Sequence, residues 1–220
     1  MAKPREVWVL PEISNKAEEI SKLSLGLCSE AKYIAEKVNG TVTALVLGDR
    51  RQDYSEVFSQ YGVTNAYVFE DPILKYFSAD AYSAALVEKI QDEKPWLLLM
   101  GNTIVGKELA PRLAVLLGTG LISNCVKMDF TNPESPRFYR PVYGGQLYQE
   151  VAFQTSQTML VTMDQKVLYV TPWPQHRDVK TSVFKPRLSP DVVRVKHLEF
   201  LPADFRTVDV ADAKDRKSVV

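Results

Sequence analysis

The chain is poor in the residues that most often carry chemistry. Among its 220 residues are two cysteines and two histidines. Cys28 and Cys125 lie far apart and in no motif, so they read as reduced packing residues rather than a disulfide framework or a redox pair. His176 and His197 form no cluster with metal-ligand spacing, and no metal site is expected. An excess of either charge is missing too. The 27 Lys and Arg balance the 27 Asp and Glu, which argues against an electrostatic grip on nucleic acid or an anionic membrane. No apolar run approaches the roughly 20 residues that cross a bilayer. The opening Met1-Ala2-Lys3-Pro4-Arg5-Glu6 lacks the apolar stretch and small-residue cleavage site of a signal peptide. These absences predict a cytoplasmic protein without membrane insertion. No internal repeat, low-complexity tract or G-x-S-x-G nucleophile elbow occurs.

What is present is a rhythm of strands and helices. Hydrophobic residues make up 45% of the chain, enough for the core of one large domain. Residues 7–10 read as a first strand, and Pro11 ends it. Residues 11–23 are polar and loop-like, with a possible helical turn at 16–20. Leu27, Ala31, Ile34, Ala35 and Val38 recur at helical spacing, predicting an amphipathic helix over 24–38 that Asn39-Gly40 stops. Residues 41–48 form a second strand. Asp53 is placed to cap a short helix through Tyr61, with Gly62 as its stop. Residues 66–69 are a third strand. Ser78 or Asp80 starts a helix to about Glu93, broken by Lys94-Pro95. Strands alternating with helices of this length predict βαβ units in a mostly parallel sheet.

The pattern centres on residues 96–114. Trp96-Leu97-Leu98-Leu99-Met100 suits a strand covered on both faces. Gly101 ends it, and Gly106 opens a helix whose apolar positions are Leu109, Leu113, Leu116 and Leu117. Open α/β sheets place ligands where such a strand feeds a helix N-terminus. Gly101 to Lys107 matches G-x-x-x-x-G-K of a phosphate loop, but the next residue is Glu108, not the Ser or Thr that binds magnesium. Triphosphate hydrolysis is therefore not expected. Two readings remain. Backbone N–H groups and Lys107 hold a phosphate or carboxylate, or the glycines serve only the turn and close packing, which the chance frequency of the motif favours. Gly118-Thr119-Gly120 follows a helix and reads as its stop, not as a dinucleotide loop.

After Gly120 the rhythm changes. Residues 125–130, 138–143, 146–153 and 158–163 read as short strands, with Gly144-Gly145 as a hairpin signal. This half is expected to be antiparallel in part and laid against the parallel core. Tyr139, Tyr143 and Tyr148 read as strand-edge or interface residues, given the neutral charge. His176 reads as a loop residue, residues 192–195 as a late strand, and residues 211–220 as a polar stretch with no packing pattern.

Residues 101–114, Gly-Asn-Thr-Ile-Val-Gly-Lys-Glu-Leu-Ala-Pro-Arg-Leu-Ala, resemble the G-x-T-x-x-G-[KR]-x-[LV]-A-P-R-[LV]-A signature of the alpha subunit of electron transfer flavoproteins. Arg140-Pro141-Val142-Tyr143-Gly144-Gly145 is similar to the R-P-x-[YF]-[AG]-G motif that follows in that family. The likeness covers roughly residues 6–163. It implies a three-layer α/β domain with a mostly parallel sheet, helices on both faces and added antiparallel strands. Such a Rossmann-like fold is related to adenine-nucleotide hydrolases. The implied domain spans 1–205, with 206–220 as a polar tail or linker toward a C-terminal flavin domain. The resemblance implies an electron carrier, not an enzyme, that pairs with a beta subunit. It would shuttle electrons on FAD from dehydrogenases, such as those of fatty acid oxidation, to an acceptor. The family holds FAD mainly through a Ser-Gly-Gly-Arg-Gly-like stretch of its C-terminal domain, which this sequence lacks, so no FAD contact is expected here. Thr162-Met163-Asp164-Gln165 also departs from the family's T-x-R-P-like segment. Gly101, Asn102, Thr103, Gly106, Lys107, Arg112 and Arg140 are the candidate loop or interface residues. Arg112 is expected on a buried side, where it needs a carboxylate or several carbonyls. The rival reading is an AMP- or phosphate-binding sensor domain that uses the 101–107 loop.

Overall fold

A computed structural model gives the fold and describes residues 4–13, 19–50, 53–154, 157–175, 178–195, 197–199 and 201. Its first half runs β1 (Glu6–Val9), α1 (Lys22–Lys37), β2 (Thr41–Gly48), α2 (Ser55–Ser59), β3 (Asn65–Glu70), α3 (Ala79–Glu93), β4 (Leu97–Gly101) and α4 (Ile104–Leu117). Then follow β5 (Leu121–Cys125), β6 (Lys127–Asp129), β7 (Arg137–Val142), β8 (Leu147–Val151), β9 (Met159–Met163) and β10 (Lys180–Phe184). Seven strands form one sheet in the order β10-β3-β2-β1-β4-β9-β5, and each neighbouring pair is parallel. Three more form a separate antiparallel sheet, β6-β7-β8.

Strand alternation divides the core in two. Val7 and Val9 face one side, with Leu27, Ile34 and Phe58 from α1 and α2. Trp8 and Leu10 face the other, with Leu86 and Ile90 from α3 and Leu109 and Leu113 from α4. Side chains of successive strand residues point to opposite faces, so a run of apolar residues suits a sheet sandwiched by helices. The antiparallel sheet joins the first side, where buried Phe138 packs edge-on to Phe130 and Phe153.

The helix boundaries follow local chemistry. Ser21 caps α1 by accepting from the Ser24 N–H, so the helix starts earlier than the apolar spacing predicts. Asp53 accepts from the Ser55 N–H at 2.9 Å, at the start of α2. Ser78 caps α3 by accepting from the Ala81 N–H, and Lys94 ends it in the left-handed region. Ile20 pairs with Ile13 in an isolated antiparallel bridge, and the rest of the expected turn at 16–20 falls mostly outside the described residues.

Several expectations need correction. The expected strand over 125–130 is two strands: β5 ends at Cys125 after Asn124 adopts a positive φ of 56°, and β6 begins at Lys127. The second half is antiparallel only in β6 to β8. β5, β9 and β10 join the parallel sheet, and β9 is buried along its whole length, as an interior strand with both faces covered must be. No strand forms at 192–195, where a 3-10 turn spans Pro190–Val192; the late strand is β10, pairing with β3 between proline-rich stretches. On α4, Leu116 is 52% exposed, and the buried stripe is Gly106, Leu109, Ala110 and Leu113. His176 and the stretch 206–220 lie outside the described residues.

Candidate functional site

The sheet order places β1 between β2 and β4, with α1 on one face and α3 and α4 on the other. A crevice opens at the carboxyl ends of β1 and β4, where folds of this kind bind ligands. The loop from Gly101 to Gly106 lies there. Thr103 is the N-cap of α4, and its Oγ1 accepts from the Gly106 N–H at 3.1 Å. The same hydroxyl donates to Glu12 Oε1 at 2.6 Å. Glu12 follows β1, and its main chain is pinned: its N–H donates to Ser24 Oγ at 2.7 Å, and that hydroxyl donates back to the Glu12 carbonyl at 3.3 Å. Burial holds the Glu12 carboxyl above the usual carboxylate range, and the Thr103 hydrogen bond opposes this. A carboxylate of the chain itself thus sits by the helix start, where an anionic ligand would otherwise bind.

The two glycines are packing residues. A Cβ on Gly106 would lie 1.8 Å from the Gly101 carbonyl oxygen. A Cβ on Gly101 would lie 2.7 Å from Leu23 Cδ2 and 3.3 Å from Glu12 Oε1. Only residues without side chains let α4 start this close to β4. Lys107 and Glu108 are exposed. A cavity of about 440 Å³ opens beside the loop between the ends of β1 and β2, with Glu12, Asp49, Tyr76 and Val105 in its wall. Gly101, Gly106 and Lys107 do not line it. Glycines, lysine and cavity therefore do not converge on one ligand, and the phosphate-sensor reading is not favoured.

Asn102 has a different task. Its N–H donates to the Met163 carbonyl at 2.7 Å, and its Nδ2 donates to Asn124 Oδ1 at 2.6 Å. Thr162 Oγ1 donates to Asn102 Oδ1 at 3.4 Å and accepts from the Asn124 N–H at 3.0 Å. These bonds tie together the carboxyl ends of β4, β9 and β5. Sequence reading missed Asn124, Thr162, Glu12 and Ser24 as partners. An isolated Thr in an apolar run and a Glu after a proline carry no signal of what lies across the sheet.

Arg112 is exposed rather than buried, which corrects the expectation, but it does meet a carboxylate. Its Nη1 bonds Asp80 Oδ1 in the first turn of α3. Arg194 joins the same carboxylate, with Nη2 to Oδ1 at 2.8 Å and Nε to Oδ2 at 3.3 Å. The Arg194 side-chain hydrogen bonds, helped by Arg112, hold Asp80 down at about 2. This cluster fastens α4, α3 and the segment after β10. Arg140 lies on β7 of the second sheet, and its buried Nε has no hydrogen-bond partner among the described residues. Among those residues no group of three or more His, Cys, Asp or Glu could hold a metal, and no helix is long and apolar enough to cross a membrane.

FAD would bring a diphosphate. The loop does not fit one, because Thr103 occupies the Gly106 N–H and Glu12 adds a carboxylate beside it.

The fold and the loop define a parallel α/β domain whose helix start is closed by its own chain. Comparison with known proteins makes the class specific. A family model described as "Electron transfer flavoprotein domain" matches residues 7–184, and the chain belongs to that family. It is 27% identical to Protein FixB of Clostridium saccharobutylicum over 94% of this chain and 61% of that protein. It is 26% identical to the electron transfer flavoprotein subunit alpha of Clostridium acetobutylicum over 97% of this chain and 63% of the relative. The corresponding subunit of Bacillus subtilis is 34% identical over 51% of this chain and 34% of its own length. The chain thus spans about three fifths of the length of the first two relatives.

Proposed function

We propose that this chain acts as the N-terminal domain of an electron transfer flavoprotein alpha subunit, in the cytoplasm. Its role is to scaffold an FAD-dependent carrier and bind the beta subunit. The assembled protein moves electrons between dehydrogenases and an acceptor; the chain itself performs no chemistry. The observation that carries this reading is the Thr103–Glu12 hydrogen bond, which fills the ligand position with a residue of the chain. A ligand loop leaves its N–H groups open to an anion, whereas here the Gly106 N–H goes to Thr103 Oγ1, and that hydroxyl in turn ties Glu12 after β1 to the start of α4. Family membership supplies the electron-carrier class. FAD then supplies one- and two-electron chemistry, and this chain contributes rigid placement of the surfaces around it.

Co-expression with the beta subunit of the same genome tests the proposal. The expected result is a stable heteromeric complex on gel filtration, with no flavin absorbance from this chain purified alone. A yellow chain carrying near-equimolar flavin, or no association with the beta subunit, overturns it.

A further inference from the structure

Among the described residues the antiparallel sheet ends in an open edge at β8. Tyr139 turns its carbonyl toward the β6 side, where it accepts from the Val126 N–H at 2.9 Å. Main-chain groups alternate in direction along a strand, so Phe138 and Arg140 turn theirs toward β8. Their partners there are Val151 and Gln149. It follows that Tyr148 and Glu150 turn their N–H and C=O groups outward, away from the sheet. Pro141, opposite Tyr148, fits this register because it has no N–H to offer β8.

Among the described residues this edge lacks the usual protection. Monomeric proteins blunt an open edge with lysine, proline, a bulge or a covering loop. Here the residues from the hairpin into β8 include Tyr143, Leu147 and Tyr148, at 77%, 58% and 66% exposure. Its one carboxylate, Glu150, is already engaged by Arg137 at 2.9 Å and Tyr139 at 2.8 Å. The face that Phe138 buries continues as Arg140 and Val142, opposite Gln149 and Leu147, and Gln149 and Leu147 are exposed. Arg140 is half-buried on that face with its Nε unpartnered among the described residues. A buried guanidinium nitrogen without a partner calls for an acceptor.

We propose that an extended segment of the beta subunit pairs with the outer edge of β8, using the main chain of Tyr148 and Glu150. The same partner covers the adjoining face and brings an acceptor oxygen to the Arg140 guanidinium. This rests on the alpha-subunit reading above and adds to it a place and a mode of binding, strand addition. The occupant is the beta subunit of the reading above, because a matched relative is named as subunit alpha, one member of an assembly of differently named chains. Specificity comes from Leu147, Tyr148 and Arg140, and the main chain supplies the sequence-independent part.

The test measures affinity between the full chain and the beta subunit by titration. Tyr148→Pro removes the outward N–H together with the phenol ring, and Tyr148→Ala, which keeps the N–H, gives the share due to the ring alone. Arg140→Lys keeps the charge and loses the Nε donor. Tyr148→Pro and Arg140→Lys are each expected to weaken association by about tenfold or more, the effect of one lost hydrogen bond in a desolvated place. Circular dichroism and melting of the chain alone are expected to stay as in the wild type. Val183→Ser, on β10 at an edge of the seven-stranded sheet, is expected to bind like the wild type. If the wild type binds and both edge variants bind equally well, the edge proposal fails while the alpha-subunit reading stands. If the wild type does not bind, both fail. If sedimentation shows the chain alone forming a dimer that Tyr148→Pro abolishes, the occupant is a second copy and the proposal is overturned.

Discussion

Replacing Gly106 with alanine separates a packing role from a ligand role. In an ordinary helix interior this change stabilises by about 1 kcal/mol, because alanine is the better helix former. Here the added Cβ would lie 1.8 Å from the Gly101 carbonyl oxygen, and real Cβ atoms essentially never approach below 3.0 Å. The gap must open by about 1.2 Å, and both sides of it are backbone. The first turn of α4 has to lift from the end of β4, which loosens Leu109 and Ala110, both fully buried. Overpacking of this kind costs ~1–3 kcal/mol or more. A backbone-on-backbone clash belongs at the upper end, so the net effect is about 2 kcal/mol of destabilisation after the helix-propensity gain. For a chain of this length that is a fall in Tm of about 4–8 °C. Differential scanning calorimetry of Gly106→Ala measures it. Gly118→Ala is the comparison: φ there is +64° and nothing lies within 4 Å, so its cost is conformational strain alone, about 1 kcal/mol. An unchanged or raised Tm for Gly106→Ala refutes the packing argument and returns the loop to the ligand class.

Glu12 gives a pH signature. Its folded pKa is raised above 4.5, so the folded chain binds its proton more tightly and stability falls as pH rises above that value. Glu12→Gln keeps an acceptor for Thr103 and removes the slope; urea titrations are expected to show it more stable than wild type at pH 7 and equal near pH 4. Asp80 has the opposite sign. Its folded value of about 2 lies below 3.8, so its stabilisation is present above 3.8 and is lost as pH falls toward 2. Asp80→Asn is expected to melt below the wild type at pH 7, with the gap closing near pH 2. Burial pushes the Cys28 thiol up to about 12 and Cys125 to about 11. Both are expected to be inert to a thiol reagent at pH 8 and to react once urea unfolds the chain; rapid labelling of the native protein contradicts that burial.

Periodicity carried the first half of the fold. β1 to β4 and α1 to α4 form in the order that apolar spacing and stops predict, with α1 and α4 starting two residues earlier, at Lys22 and Ile104, because each of these signals is local. Thr103, Ser78 and Gly62 act within a few residues of themselves. The second half was less legible. β5, β9 and β10 are short, and what makes them parallel sheet strands is the neighbour each acquires across the sheet. β10 pairs with β3 across a separation of more than a hundred residues, and no local pattern in Lys180-Thr181-Ser182-Val183-Phe184 announces that partner. The face of α4 was partly misjudged for a related reason. Leu116 fits the helical spacing, but the stripe that packs on the core runs through Leu109, Leu113 and Leu117, which leaves Leu116 52% exposed.

The candidate site divides in the same way. The sequence by itself determined that a strand, a glycine-bracketed loop and a helix follow one another at 97–117, and that its motifs resemble those of electron transfer flavoprotein alpha subunits. The order of residue types along the chain carries that information. Only the tertiary structure decided what the loop does. Glu12 is far from Thr103 in sequence, and the two meet because parallel pairing of β1 with β4 brings both carboxyl ends to one crevice. Arg112 and Arg194 converge on Asp80 through the packing of α4 and the late segment against α3. Among the described residues Arg140 Nε is left without a partner and Tyr148 without cover, through the way a three-stranded sheet ends. Contacts between residues distant in sequence are set by the packing of whole elements, and the energies that close this loop and open that edge exist only once the elements have docked.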